Sequence, residues 1–132
     1  MPDFRTTDPR GITVVLTQDR YTHGVEGHFG FLSSTKGLYP TLTTALSHPF
    51  LILENPQHQE ATLGPQRQPN SERYVSRVSE WNLYVVFAVV KFDSGSYTRP
   101  GGPTINAPVR VVWTAHEAET VPSGNIIWQA SL

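Results

Sequence analysis

The longest apolar run of the chain, Leu83-Tyr84-Val85-Val86-Phe87-Ala88-Val89-Val90, ends on Lys91 and reads as a strand buried on both faces near the centre of a sheet. A second β-rich run, Val109-Arg110-Val111-Val112-Trp113-Thr114-Ala115-His116, has the same character and predicts another central strand. Residues 73–78 alternate, with Tyr74, Ser76 and Val78 against Arg73, Val75 and Arg77, which is the period of a half-exposed strand. Three shorter β-rich segments complete the set: Ile12-Thr13-Val14-Val15-Leu16 as an edge or leading strand, Phe50-Leu51-Ile52-Leu53 as a buried one, and Asn125-Ile126-Ile127-Trp128 as a closing one.

Helical signals lie in the first half. Thr17 is a good N-cap and Asp19 complements the dipole of a first turn, so a helix is expected over about residues 18–29. Gly24 and Gly27 each weaken it by ~1 kcal/mol relative to alanine. Pro40 suits a first helical turn, and Leu42, Ala45 and Leu46 recur at three- and four-residue spacing, so a second, short amphipathic helix precedes His48-Pro49. Residues 1–11, with Asp8-Pro9 and Arg10-Gly11 as turn signals, predict an irregular arm. Long loops are expected over 55–71, rich in glutamine and proline, and over 94–108, around Arg99-Pro100-Gly101-Gly102-Pro103. Two N-terminal helices packed on a four- to five-stranded antiparallel meander sheet make an α+β domain spanning residues 1–132.

Composition narrows the class. A chain of 132 residues with 38% hydrophobic and 16% charged positions can bury one core, and its balance argues against general disorder. The absence of cysteine excludes disulfides and thiolate metal sites. No apolar segment reaches the length of a membrane helix and the first ten residues hold no apolar signal core, so a soluble, cytoplasmic protein without membrane partners is expected. The net charge of −1 gives no general attraction to nucleic acid, but residues 61–116 carry six bases against three acids, which leaves that stretch at +3.

The order of motifs adds a family likeness. Leu16-Thr17-Gln18-Asp19-Arg20-Tyr21-Thr22-His23, then His28, the segment 41–49, Tyr74, Val89-Val90-Lys91, Trp113-Thr114-Ala115-His116 and Ile127-Trp128 follow one another in the chain. This series, over about residues 12–128, resembles the phage-associated branch of the barnase–EndoU–colicin–RelE-like ribonuclease superfamily. The resemblance implies a barnase/RelE-like fold and a metal-independent endoribonuclease, a toxin of a phage or mobile element, that cleaves RNA through its 2′-hydroxyl. It also implies RNA and an inhibitory protein as partners, and no cofactor. The chain departs from the family pattern in three places: Gly27 stands where arginine commonly precedes the second histidine, with Phe29-Gly30 where Pro-Glu often follows; His116 stands where tyrosine commonly follows Thr-Ala; and the loops over 55–71 and 94–108 are longer than the family's.

Transesterification needs an acid, a base and donors for the phosphate, and imidazole serves both proton roles near neutral pH. By resemblance, His23, His28, Lys91 and Thr114 are the catalytic candidates, with Arg73, Tyr74 and His116 binding substrate. A helical pair five residues apart stands about 140° apart around the axis, so His23 and His28 need not face one site. The same geometry argues against zinc on His23, Glu26 and His28, since helical zinc pairs are spaced by four. His48, before a proline, and His58, in a polar loop, carry no assigned role. Two other classes fit the chain: a catalytically inactive relative that binds RNA or protein, and an interaction protein of a mobile element that uses its long loops as contacts.

Overall fold

The computed structural model describes residues 4–17, 20, 44–54, 71–78, 82–92, 95–98 and 104–130. They form nine strands: β1 (Phe4–Thr7), β2 (Thr13–Leu16), β3 (Leu51–Glu54), β4 (Ser71–Val78), β5 (Leu83–Phe92), β6 (Ser96–Thr98), β7 (Thr104–Asn106), β8 (Val109–Ala118) and β9 (Asn125–Gln129). Seven make one sheet in the order β1-β2-β8-β5-β4-β3-β9, while β6 and β7 form a separate two-stranded ribbon. Every pairing in the large sheet is antiparallel except that of β2 with β8, so the sheet is mixed.

This corrects the expected α+β, barnase/RelE-like arrangement of two N-terminal helices on a four- to five-stranded antiparallel meander. Among the described residues the only stretch of helix longer than one residue is the single turn over 44–47, closed by the His48 amide donating to the Thr44 carbonyl at 2.8 Å. The expected helix over 18–29 lies outside the described residues apart from Arg20. The physical reason for the wider sheet is at its margins. Residues 4–7, taken from the sequence as part of an irregular arm, pair with β2, and β2 itself runs inside the sheet beside β8. Strand β9 does not follow β8 in meander order but crosses to β3, forming the far edge. Between those margins β3, β4, β5 and β8 do succeed one another antiparallel.

Strand β5 lies in the middle, and its burial explains its composition. Residues 85–90 are all buried, which a strand covered on both faces requires and a continuous apolar run supplies. Alternation divides its side chains: Val85, Phe87 and Val89 pack with Leu16, Leu46, Ile52 and Tyr74 on the helix-bearing face. The opposite face carries two smaller clusters, one of Val15, Val109, Val111 and Ile105 of β7, the other of Leu51, Leu53, Val75 and Val86. Complete burial of Phe87, Leu16 or Ile52 contributes ~1.5–3 kcal/mol each. The β5–β8 register slips between Ala88 and Val89: Ala88 opposes Thr114 and Val89 opposes Val112, so Trp113 is the extra residue of a bulge. Asn82, at φ 54°, ends the connection from β4 into β5 in the left-handed conformation that asparagine tolerates. No helix among the described residues is long and apolar enough to cross a membrane.

Candidate functional site

Strand alternation sorts the chemically capable side chains onto two faces. Glu72 opposes Val89 and Tyr74 opposes Phe87, while Arg110 opposes Lys91, which places all four side chains on the helix-bearing face. Arg73 and Thr114 both oppose Ala88, and His116 opposes Val86, which places these three on the other face. Lys91 and Thr114, expected to converge, therefore stand on opposite sides of the sheet.

The helix-bearing face holds a closed ionic cluster. The loop after β1 turns on Asp8, whose Oδ1 accepts the amides of Arg10 and Ile12 at 2.8 and 3.0 Å. This aims Arg10 across the sheet, where its Nη2 reaches Asp8 Oδ2 and Glu72 Oε1, both at 2.8 Å. From β8, Arg110 Nε donates to the same Glu72 Oε1 at 2.7 Å. Tyr74 donates its hydroxyl hydrogen to Asp8 at 2.6 Å and accepts one from Arg10 at 3.0 Å. Two carboxylates face two guanidiniums, so the cluster is neutral as a whole. Burial alone pushes the Asp8 and Glu72 carboxyls up, but hydrogen bonds from Tyr74, Ile12 and Arg10 on the first, and from Arg10 and Arg110 on the second, hold both below their ordinary values. Burial and the bond to Asp8 push the Tyr74 hydroxyl well above its ordinary value. Despite burial, its carboxylate partners raise the Arg10 pKa further. Beside this cluster Lys91 Nζ is 3.1 Å from Glu54, in a part-exposed ion pair. The shifts of Asp8, Arg10, Glu72 and Tyr74 all favour their ordinary charge states at neutral pH, which suits a structural role better than proton transfer.

The opposite face is arranged differently. Arg73, Ala88 and Thr114 form one row across β4, β5 and β8, with two strand spacings of ~4.8 Å between the outer Cα atoms. Ala88, in the middle of the row, is buried. Two residues along β8, His116 is exposed. Arg20 joins this row through the bulge: its Nε and Nη2 donate to the Trp113 carbonyl at 3.1 and 2.5 Å, and its guanidinium lies 4.2 Å from the centre of the Trp113 ring. An extra residue in a strand leaves its carbonyl out of the regular ladder, and Arg20 is the donor it meets. Arg73 also reaches the Ser123 carbonyl, at 3.5 Å.

Of the residues singled out from the sequence, Arg73, Thr114 and His116 share a face, whereas Tyr74 and Lys91 belong to the ionic cluster and its neighbouring pair. His23 and His28 lie outside the described residues. Among the described residues no three histidine, aspartate or glutamate side chains gather into a group that could hold a metal. Arg20 was visible only as one letter of a motif. Asp8, Arg10, Glu72 and Arg110 received no role, although a charge inside an apolar strand, as in Val109-Arg110-Val111, marks a buried partner. The chain matches no family model, no curated protein and no solved structure.

Proposed function

We propose that this chain is a metal-independent endoribonuclease-like domain of a phage or mobile element, acting in the cytoplasm as a toxin with an inhibitory protein partner. One observation carries the reading: Arg20, from the Arg20-Tyr21-Thr22-His23 segment, is fastened to the Trp113 carbonyl in the row that holds Arg73, Thr114 and His116. Two guanidiniums, a hydroxyl and an imidazole on one face suit a phosphodiester. In this reading Arg73 and Arg20 bind the phosphate and Thr114 donates to a non-bridging oxygen. The RNA 2′-hydroxyl loses its proton to one imidazole and attacks phosphorus. The 5′-oxygen leaves with a proton from a second, and the products are a 2′,3′-cyclic phosphate and a free 5′-hydroxyl. The two proton carriers are drawn from His23, His28 and His116.

A second reading has its own support. The described part of this face supplies one imidazole, His116, so acid and base do not both come from it. A module that binds RNA or protein without cleaving would need no second imidazole. One experiment separates the two: purified chain and its Thr114→Ala and His23→Ala variants, incubated with structured RNA in the presence of chelator, with product ends mapped. The nuclease reading expects cyclic-phosphate ends from the wild type, and losses of ~10²–10⁴-fold in the variants. RNA retained intact by the wild type at every pH tested, with Arg73→Gln weakening its binding, would leave the binding module. Neither cleavage nor binding would remove both.

A further inference from the structure

The face that carries Arg73, Thr114 and His116 continues past them toward the connection from β4 into β5. Arg77 opposes Tyr84 and Tyr84 opposes Ala118, which by alternation sets these three on that face. His116 stands two residues from Ala118 along β8, so Arg77, Tyr84 and His116 form a diagonal across three strands. Exposure follows the same line. Arg77 and His116 are exposed and Tyr84 is half-buried, whereas Val75 and Val86, between the diagonal and Arg73, are buried. A chain lying on Thr114 and His116 therefore reaches Arg77 over Tyr84 rather than over the buried valines.

Arg77 is positioned without being neutralised. It donates to Asn82 Oδ1, and its guanidinium lies 5.3 Å from the Tyr84 ring centre. Neither contact supplies a full negative charge, and the bond to Asn82 leaves further N–H donors of the fork unused. On the helix-bearing face Arg10 and Arg110 each meet a carboxylate. Arg77 meets none among the described residues, and neither does Arg73, four residues before it on the same strand and face. Two strand spacings of ~4.8 Å and two residues of ~3.4 Å put the Arg77 and His116 Cα atoms about 12 Å apart, a span that extended single-stranded RNA covers in about two nucleotides.

We propose that Arg77 is a second phosphate subsite for single-stranded RNA: with the scissile phosphate on the Arg73–Thr114 row, the strand passes His116 and Tyr84 and sets a flanking phosphate on Arg77. The subsite rests on the reading of this face as an RNA surface, and it holds whether or not the RNA is cut.

The test is the affinity of the full chain for 2′-O-methyl RNA, which cannot be cleaved through its 2′ position, from a dinucleotide to a pentanucleotide over a series of salt concentrations. Affinity should rise about tenfold once the strand is long enough to place a second phosphate on Arg77, at the third or fourth nucleotide. Arg77→Gln removes that gain and leaves the dinucleotide unchanged. For the longer strands it also lowers the slope of log affinity against log salt by about 0.7, the contribution of one phosphate. Arg77→Lys, which keeps the charge, restores the slope, and Arg73→Gln weakens every length. Because Arg77 is exposed, its variants should melt close to the wild type. A gain that is absent, or that survives Arg77→Gln with its full salt slope, overturns the subsite even if natural RNA is cleaved. A gain lost in Arg77→Gln while natural RNA stays intact keeps the subsite and removes the nuclease.

Discussion

Removing the charge of Glu72 tests whether the ionic cluster holds the helix-bearing face together. The Glu72 and Arg110 side chains are 2% and 4% exposed, and Arg10, which bridges Glu72 to Asp8, is 21% exposed. Glu72→Gln keeps the shape but leaves two guanidiniums against one carboxylate. It also ends the charge-assisted bonds at 2.7 Å from Arg110 and 2.8 Å from Arg10. Breaking a buried pair from one side costs ~3–5 kcal/mol, because the partner charge stays desolvated. Against a total stability of ~5–15 kcal/mol that is a large share. At ~3–5 °C per kcal/mol for a chain of this size, Tm falls by roughly 9–25 °C. Urea and thermal unfolding followed by circular dichroism measure both. The double variant Glu72→Met with Arg110→Leu removes both charges and leaves Asp8 to neutralise Arg10, so it should be less destabilised than Glu72→Gln. Because the pair is buried, about a tenfold rise in salt should change the loss little. A single-variant loss below about 1 kcal/mol, or a double variant that loses the sum of its singles, refutes the reasoning.

The same cluster sets the pH response. The Asp8 and Glu72 pKa values are depressed in the fold, so their stabilisation is complete above the unfolded values of about 4 and drains as pH falls through the folded ones. Denaturant midpoints should fall more steeply on acidification in the wild type than in Glu72→Gln. The raised Tyr74 pKa acts at the other end: its contribution is complete below about pH 10 and is lost as pH rises beyond it, a loss absent from Tyr74→Phe. At neutral pH Tyr74→Phe removes the donor 2.6 Å from Asp8 and should cost ~1.5–3 kcal/mol by urea unfolding. Lys91→Met should cost less than Glu72→Gln by the same measurement, because the side chains of its pair with Glu54 are 18% and 25% exposed against 2% and 4% for Glu72 and Arg110.

Strand periodicity carried most of what was legible. The continuous apolar run of β5 and the alternation of β4 mark a doubly covered strand and its neighbour, and hairpin geometry then pairs them. The margins were not legible for a physical reason. Phe4-Arg5-Thr6-Thr7 is too short and too polar to announce a strand, and it becomes one because β2 offers a free edge. The parallel β2–β8 pairing is likewise a tertiary choice, made over more than ninety residues of separation with no turn to signal it. The site divided for a related reason. Lys91 and Thr114 look equivalent as polar residues closing β-rich runs, but the bulge at Trp113 shifts the register, and a shift of one residue exchanges faces.

That bulge links the fold to the row of Arg73, Ala88 and Thr114. Had β8 run without it, continued pairing from Arg110 opposite Lys91 would place Ala88 against Trp113 rather than Thr114. The inserted residue instead sets the Thr114 side chain beside Ala88, in line with Arg73, and frees the Trp113 carbonyl for Arg20. One irregularity therefore both assembles the row and fastens to it the chain segment that continues toward His23. The helix-bearing face needs no such device, because its charges are neutralised within the cluster and face a packed core. A charge-balanced network on one face and a row of Arg73, Thr114 and His116 on the other, with Arg20 fastened at the bulge, make the sheet asymmetric.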